Sequence, residues 1–121
     1  MSKILIFDDD RDTLELMTII LQETHQVYAV SDAMNWMPQI SKFEPELILM
    51  DVRLGNEDGI KISRIIKSNP IMAHIKIILT SAAILNLGHL EDCSDAYLEK
   101  PFAIDALHQL VEDLLANGNR L

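Results

Sequence analysis

Four places in the chain carry residue types that together could handle a phosphoryl group. They are the run Asp8-Asp9-Asp10, the single Asp51, the pair Thr80-Ser81 and the pair Lys100-Pro101. Each follows a short apolar run: KILIF, ELILM, IKIIL and the stump Tyr97-Leu98 with Glu99. Gathering carboxylates is costly, since two unit charges about 4 Å apart repel by roughly 4 kcal/mol at an effective dielectric near 20. A fold that brings Asp8, Asp9 and Asp51 together therefore needs a cation. Carboxylate oxygens with room for water suit Mg²⁺, which keeps part of its hydration in octahedral oxygen geometry. A lysine and a hydroxyl facing such a metal suit a phosphoryl group, whose oxygens they would neutralise and hydrogen-bond. Asp51, alone at its strand end, is then the natural oxygen nucleophile.

Taken singly, each residue has a plainer reading. An aspartate after a strand is usually a turn or helix-cap residue; Asp10 or Asp12 can cap the first helix, Thr80 is an ordinary strand residue and Lys100 a solvated charge. What separates the two readings is whether the strand ends converge. The runs Lys3–Phe7, Gln26–Val30, Glu46–Met50 and Ile75–Leu79 read as strands, with Tyr97–Leu98 a short fifth. The first, third and fourth are almost continuously Ile, Leu, Val and Phe, as expected for parallel strands covered on both faces. Helical spacing fills the gaps over Asp12–Glu23, Gly59–Ser68 and Ile104–Ala116, the last stopping at Asn117-Gly118. Pro38 fits a second helix that starts late, with Asn35 as its cap. The stretch Ser81–Asp95 has weak periodicity and predicts a fourth helix that is short or poorly ordered. Alternating strands and helices imply βαβ units and a five-stranded parallel sheet with helices on both faces. In such a sheet ligands bind at the carboxyl ends of the strands, where all four chemical positions would meet.

Composition narrows the function classes. The 121 residues are 49% hydrophobic and 24% charged, which is ordinary globular usage. Ten basic against 19 acidic residues leave a net charge of −9, a surface that repels phosphate backbones and makes nucleic-acid contact by this domain unexpected. The one cysteine, Cys93, excludes an internal disulfide and fits a reducing compartment. No apolar run approaches the roughly 20 residues that span a bilayer, and MSKILIF lacks a signal peptide's layout. The expectation is a cytoplasmic protein without membrane contact, residues 1–121 forming one domain with no output domain. His25, His74, His89 and His108 show no metal-ligand spacing, and Cys93 is expected to be inert.

The segments ILIFDDD, PELILMDVRLGNEDG, IILTSA and DAYLEKPF, in that order, resemble the response-regulator receiver domains of bacterial two-component signalling, over essentially the whole chain. The resemblance implies a flavodoxin-like doubly wound (βα)5 fold. It also implies a phosphorelay switch rather than a turnover enzyme, slow autodephosphorylation aside. Asp51 would take a phosphoryl group from the phosphohistidine of a sensor histidine kinase or phosphotransfer protein, with Mg²⁺ as cofactor. Asp8, Asp9 and Asp51 would hold the metal together with the backbone carbonyl of Arg53. Thr80 and Lys100 would complete the catalytic set, while Thr80 and Tyr97 would act as the switch. A cis peptide before Pro101 and a positive φ at Gly59 are implied too. Gly55 replaces the usual proline, which should loosen its loop, and the stretch from Thr80 to Lys100 is shorter than usual.

Two other readings compete. Phe7 to Leu14 faintly resembles the opening of haloacid-dehalogenase-like phosphatases, with Asp8 as nucleophile and Asp10 as acid. A receiver-like binding module that is never phosphorylated is the other, and the complete Asp, Thr and Lys set argues against it.

Overall fold

Alternation within the strands sets the architecture. In the computed structural model, which describes residues 1–83 and 87–118, the chain runs β1 (Lys3–Phe7), α1 (Arg11–Leu21), β2 (Gln26–Val30), α2 (Trp36–Phe43) and β3 (Leu47–Asp51). It continues β4 (Arg53–Leu54), β5 (Glu57–Asp58), α3 (Gly59–Ser68), β6 (Lys76–Ser81), β7 (Ala96–Glu99) and α4 (Ile104–Gly118). Successive side chains of a strand point to opposite faces, so an all-apolar strand must be covered twice. Leu5 and Phe7 of β1 lie in one core with Ile48, Met50, Ile77 and Leu79, under Ile40 of α2 and Ile62 and Ile66 of α3. Ile4 and Ile6 lie in the other with Leu49 and Ile78, under Met17 and Leu21 of α1 and Leu107 and Val111 of α4. Each such side chain, fully buried, contributes about 1.5–3 kcal/mol, which commits these runs to the middle of the molecule.

The five long strands pair in parallel in the order β2-β1-β3-β6-β7, the flavodoxin-like doubly wound arrangement. The chain turns one way from β1 to β2 and the other way to β3, so the switch point lies between β1 and β3. No helix among the described residues is long and apolar enough to cross a membrane.

The expected elements are present with small shifts of boundary: β3 and β6 start one residue later than the apolar runs, and α4 reaches Gly118. Pro38 falls in the first turn of α2 behind Asn35, although the Asn35 side chain makes no capping bond. Over Ser81–Asp95 the described residues hold the end of β6, turns at 82–83 and 91–93 and no helix; residues 84–86 lie outside the described set. Sequence reading missed the small antiparallel hairpin β4–β5, in which Arg53 pairs Asp58 and Leu54 pairs Glu57. It also missed a clamp on β7. Asp95 accepts from the Ile77 amide at 2.8 Å and pairs with Lys67 at 2.7 Å, while Lys67 also donates to the Ile75 carbonyl at 2.7 Å. Lone charged residues in a sequence do not announce such partners.

Gly59 is a correction. Its φ is not positive, unlike those of Gly55 and Gly88, and it begins α3 instead of closing a left-handed turn. Glycine is required there for space. A Cβ would sit 2.0 Å from the main-chain oxygen of Asp51, and the Gly59 amide donates to the Val52 carbonyl at 2.8 Å. Gly59→Ala should therefore cost about 3 kcal/mol or more through forced overpacking. Gly88→Ala, at φ +78 with open space around it, should cost only about 1 kcal/mol from backbone conformation. Urea denaturation of both variants measures the contrast, and equal losses would contradict it.

Candidate functional site

Register alone brings the chemical residues together. Phe7 pairs with Met50, so Asp8 emerges beside Asp51; Asp51 pairs with Thr80, and Ser81 with Glu99, the residue before Lys100. The four strand ends line one cleft of about 630 Å³, bordered by Asp9, Asp51, Arg53, Ala82, Leu87 and Lys100. One oxygen each of Asp8, Asp9 and Asp51 lies within 4.8 Å of the others. At that separation each pair repels by roughly 3.5 kcal/mol at an effective dielectric near 20.

Lys100 offsets part of this. Its Nζ donates to Asp8 Oδ2 at 2.8 Å and to Asp51 Oδ2 at 3.3 Å. Its backbone amide donates a hydrogen bond to the Ser81 carbonyl at 2.8 Å, and the Lys100–Pro101 peptide is cis as expected. Burial opposes the lysine's charge, but Asp8 and then Asp51 outweigh it and hold the ammonium above its ordinary value. Asp8 has no exposed surface, while Asp51 keeps 7%. Burial, and next the negative charge of Asp8, push Asp51 up to about 6, against the pull of Lys100 and the Arg53 amide. The Arg53 amide donates to Asp51 Oδ1 at 3.3 Å, and the Asp10 amide to Asp8 Oδ1 at 2.9 Å.

The remaining sequence-selected residues divide. Thr80 is buried, and its hydroxyl has no hydrogen-bond partner among the described residues. Tyr97 sits next to Leu79 on β7 and is partly exposed at the surface. Asp10 stays outside the cluster: it stands at the N-cap position of α1 without a side-chain capping bond, and its carboxylate takes a short hydrogen bond from the Thr13 hydroxyl, which holds it below the ordinary carboxylate range. That disposition disfavours the phosphatase reading, because the expected nucleophile, Asp8, has no exposed surface and is bonded to Lys100, while the expected acid, Asp10, is engaged by Thr13. His25 is engaged with Glu112 at 2.8 Å. Cys93 is buried, and desolvation raises its thiol, in keeping with an inert residue.

Two contributors were not found from sequence. Asp58 caps α3 by accepting from the Ile60 and Lys61 amides, a role that its place before an apolar helical stretch signals. The Gly55 amide donates to Asp9 Oδ2 at 3.0 Å, so the loop expected to be loosened by Gly55 is a hydrogen-bonded hairpin turn.

The raised Asp51 acid fixes a pH dependence for the metal-free protein. Between its ordinary 3.8 and about 6 the folded state holds the proton that the unfolded chain has released. Stability from this group is complete below about pH 4 and lost as pH rises through 6. Asp51→Asn should therefore be more stable than wild type at pH 8 by about 2 kcal/mol after allowance for solvent screening. The difference should vanish below about pH 4. Denaturation across that range checks it, and equal stability at pH 8 would contradict it.

Comparison with known proteins follows the same residues. The sequence profile of the family described as Response regulator receiver domain matches residues 4–112. The transcriptional regulatory protein GltR of Pseudomonas aeruginosa is 33% identical over 116 residues, covering 93% of this chain and 48% of GltR. The DNA-binding response regulator MtrA of Mycobacterium tuberculosis is 26% identical over 101 residues, covering 83% of this chain and 44% of MtrA. The chain thus spans less than half the length of these curated relatives. The signal receiver domain of a histidine kinase from Syntrophus aciditrophicus superimposes with a TM-score of 0.86 at 27% identity, covering 100% of this chain and 95% of that one. The superposition, the acidic cluster beside Lys100 and the match over 4–112 lead to one conclusion: this chain belongs to the response regulator receiver domain family of two-component signalling.

Proposed function

We propose that Asp51 is the phosphoacceptor of this receiver domain and that its donor is the phosphohistidine of a sensor histidine kinase or phosphotransfer protein. Receiver domains of this family are phosphoacceptor switches, and response regulators work with histidine kinases. The observation that carries the assignment to Asp51 is its position. Alone among the clustered buried carboxylates it keeps exposed surface on the cleft, within 3.3 Å of Lys100 and beside the unpartnered hydroxyl of Thr80.

The donor set fits a small divalent cation. Asp8, Asp9 and Asp51 each offer a hard oxygen within a span of 4.8 Å. Three carboxylates and one ammonium leave a formal charge of −2. In this proposal those residues and the main-chain carbonyl of Arg53 hold Mg²⁺. When bound, the ion would neutralise the carboxylates and draw charge from the phosphoryl oxygens.

The chain's own residues do the rest. At neutral pH Asp51 is above its pKa of about 6 and ionised. One of its oxygens attacks phosphorus in line, the P–N bond of the donor phosphohistidine breaks, and its electron pair returns to the imidazole. Lys100, already 3.3 Å from Asp51, pairs with a phosphoryl oxygen. Such transfer depends on positioning and charge stabilisation more than on acid–base work. The product adds about −1.5 to −2 charges and offers acceptors to Thr80, whose movement would free space for Tyr97. Phosphorylation then biases two arrangements of one fold. Residues 1–121 act in this proposal as one cytoplasmic receiver unit, whose net charge of −9 leaves DNA contact to other parts of a regulator.

Two outcomes are expected. Incubation with acetyl phosphate and Mg²⁺, read by intact-protein mass, should add one phosphoryl group to wild type and none to Asp51→Asn; adducts on both, or on neither, would contradict the assignment. In thermal denaturation, Mg²⁺ at a hundredfold excess over its dissociation constant should stabilise wild type by about 2.7 kcal/mol. An unchanged Tm would count against the cation site.

A further inference from the structure

The hairpin β4–β5 turns on two residues, Gly55 and Asn56. Gly55 has φ +62 while Asn56 is not among the residues of positive φ, so Gly55 carries the left-handed backbone of this two-residue turn. A Cβ on Gly55 would meet nothing within 4 Å, so packing does not demand glycine here. Two things remain: the left-handed backbone, and an N–H that reaches across the cleft to Asp9 Oδ2 at 3.0 Å.

Asp9 needs such a partner more than its neighbours do. Asp8 is buried and clamped by Lys100, and Asp51 is held by Lys100 and the Arg53 amide. Asp9 is exposed, and no side-chain cation bonds it among the described residues. Repulsion from two nearby carboxylates and freedom of χ1 would both turn it toward solvent. The amide bond opposes that, because a hydrogen bond to an ionised acceptor is stronger than a neutral one.

We propose that Gly55 is a positioning residue for the divalent cation: its backbone N–H holds the Asp9 carboxylate in the cluster, so that the hairpin sets the affinity for metal. The inference rests on the cation site of the proposed function. Proline, expected at this position from the family resemblance, has no N–H and a φ fixed near −65°, so it could make neither the bond nor the turn. By linkage, cation binding must stabilise the bonded hairpin by the same factor that the hairpin tightens the cation. Loop structure after the phosphoacceptor and metal occupancy are thereby coupled in this chain.

Calorimetric titration with Mg²⁺ of wild type, Gly55→Pro and Gly55→Asn tests this. Gly55→Pro should weaken binding about tenfold, the lower range for loss of a group that orients a ligand. Gly55→Asn keeps the N–H and tolerates the left-handed region, so it should stay within about threefold of wild type. Equal affinity of Gly55→Pro and wild type would overturn the proposal, as would an equal loss in both variants. Should Gly55→Pro not fold, amide hydrogen exchange decides: the Gly55 amide should be protected in wild type and exchange about tenfold faster in Asp9→Ala, consistent with loss of its acceptor. The same rapid exchange in both proteins would overturn it. Wild type that binds no Mg²⁺ at all would overturn the cation site itself and this inference with it.

Discussion

Lys100 stands between Asp8 and Asp51, and the rest of the site is arranged around that contact. Its ammonium lies 2.8 Å from one carboxylate and 3.3 Å from the other. Without it, two aspartates at the tips of adjacent buried strands would face each other in a region of low dielectric, where each repulsion is worth several kcal/mol. The lysine reaches them only because β7 is seated in register on β6 and the Lys100 amide is tied to Ser81. The Asp95–Lys67 clamp fastens the other end of the same strand. One lysine cannot neutralise three carboxylates, and the surplus negative charge is what a divalent ion and an incoming phosphoryl group would meet. A site left short of positive charge is primed for a cation in a way that a balanced one is not.

Asp51 and Asp8 differ in exposure although their chemistry is identical. Asp8 lies under Lys100 with no surface of its own, whereas Asp51 opens on the cleft. A group whose burial and acidic neighbour push it up to about 6 is well placed to respond to anything that alters local charge. Thr80, buried with its hydroxyl unpaired among the described residues, holds an unsatisfied donor on the adjacent strand. Burying a hydroxyl without a partner costs about 1–3 kcal/mol, a cost that a nearby phosphoryl oxygen would relieve.

Much of this was legible in the residues. Runs such as KILIF and ELILM are apolar at four consecutive positions after one charged residue, as central strands are, so the sheet, its order of appearance and the convergence of Asp8, Asp51, Thr80 and Lys100 followed from pattern and topology. What escaped was contact between segments far apart in sequence. The Gly55 amide on Asp9 spans 46 positions, and a backbone donor leaves no mark in the one-letter string. Gly59 was read for the wrong reason: its need is for space against the Asp51 carbonyl, and nothing local distinguishes a steric glycine from a conformational one. The hairpin 53–58 is too short for hydrophobic periodicity to register.

The central claim is that a divalent ion and a phosphoryl group share one pocket whose reacting oxygen belongs to Asp51. A crystal structure of the protein with Mn²⁺ and beryllofluoride, read by manganese anomalous scattering, addresses it directly. The account requires the metal peak among Asp8, Asp9 and Asp51, with beryllium joined to an Asp51 oxygen and within reach of Lys100 and Thr80. Beryllium on Asp8, or metal bound anywhere outside that carboxylate cluster, would contradict it.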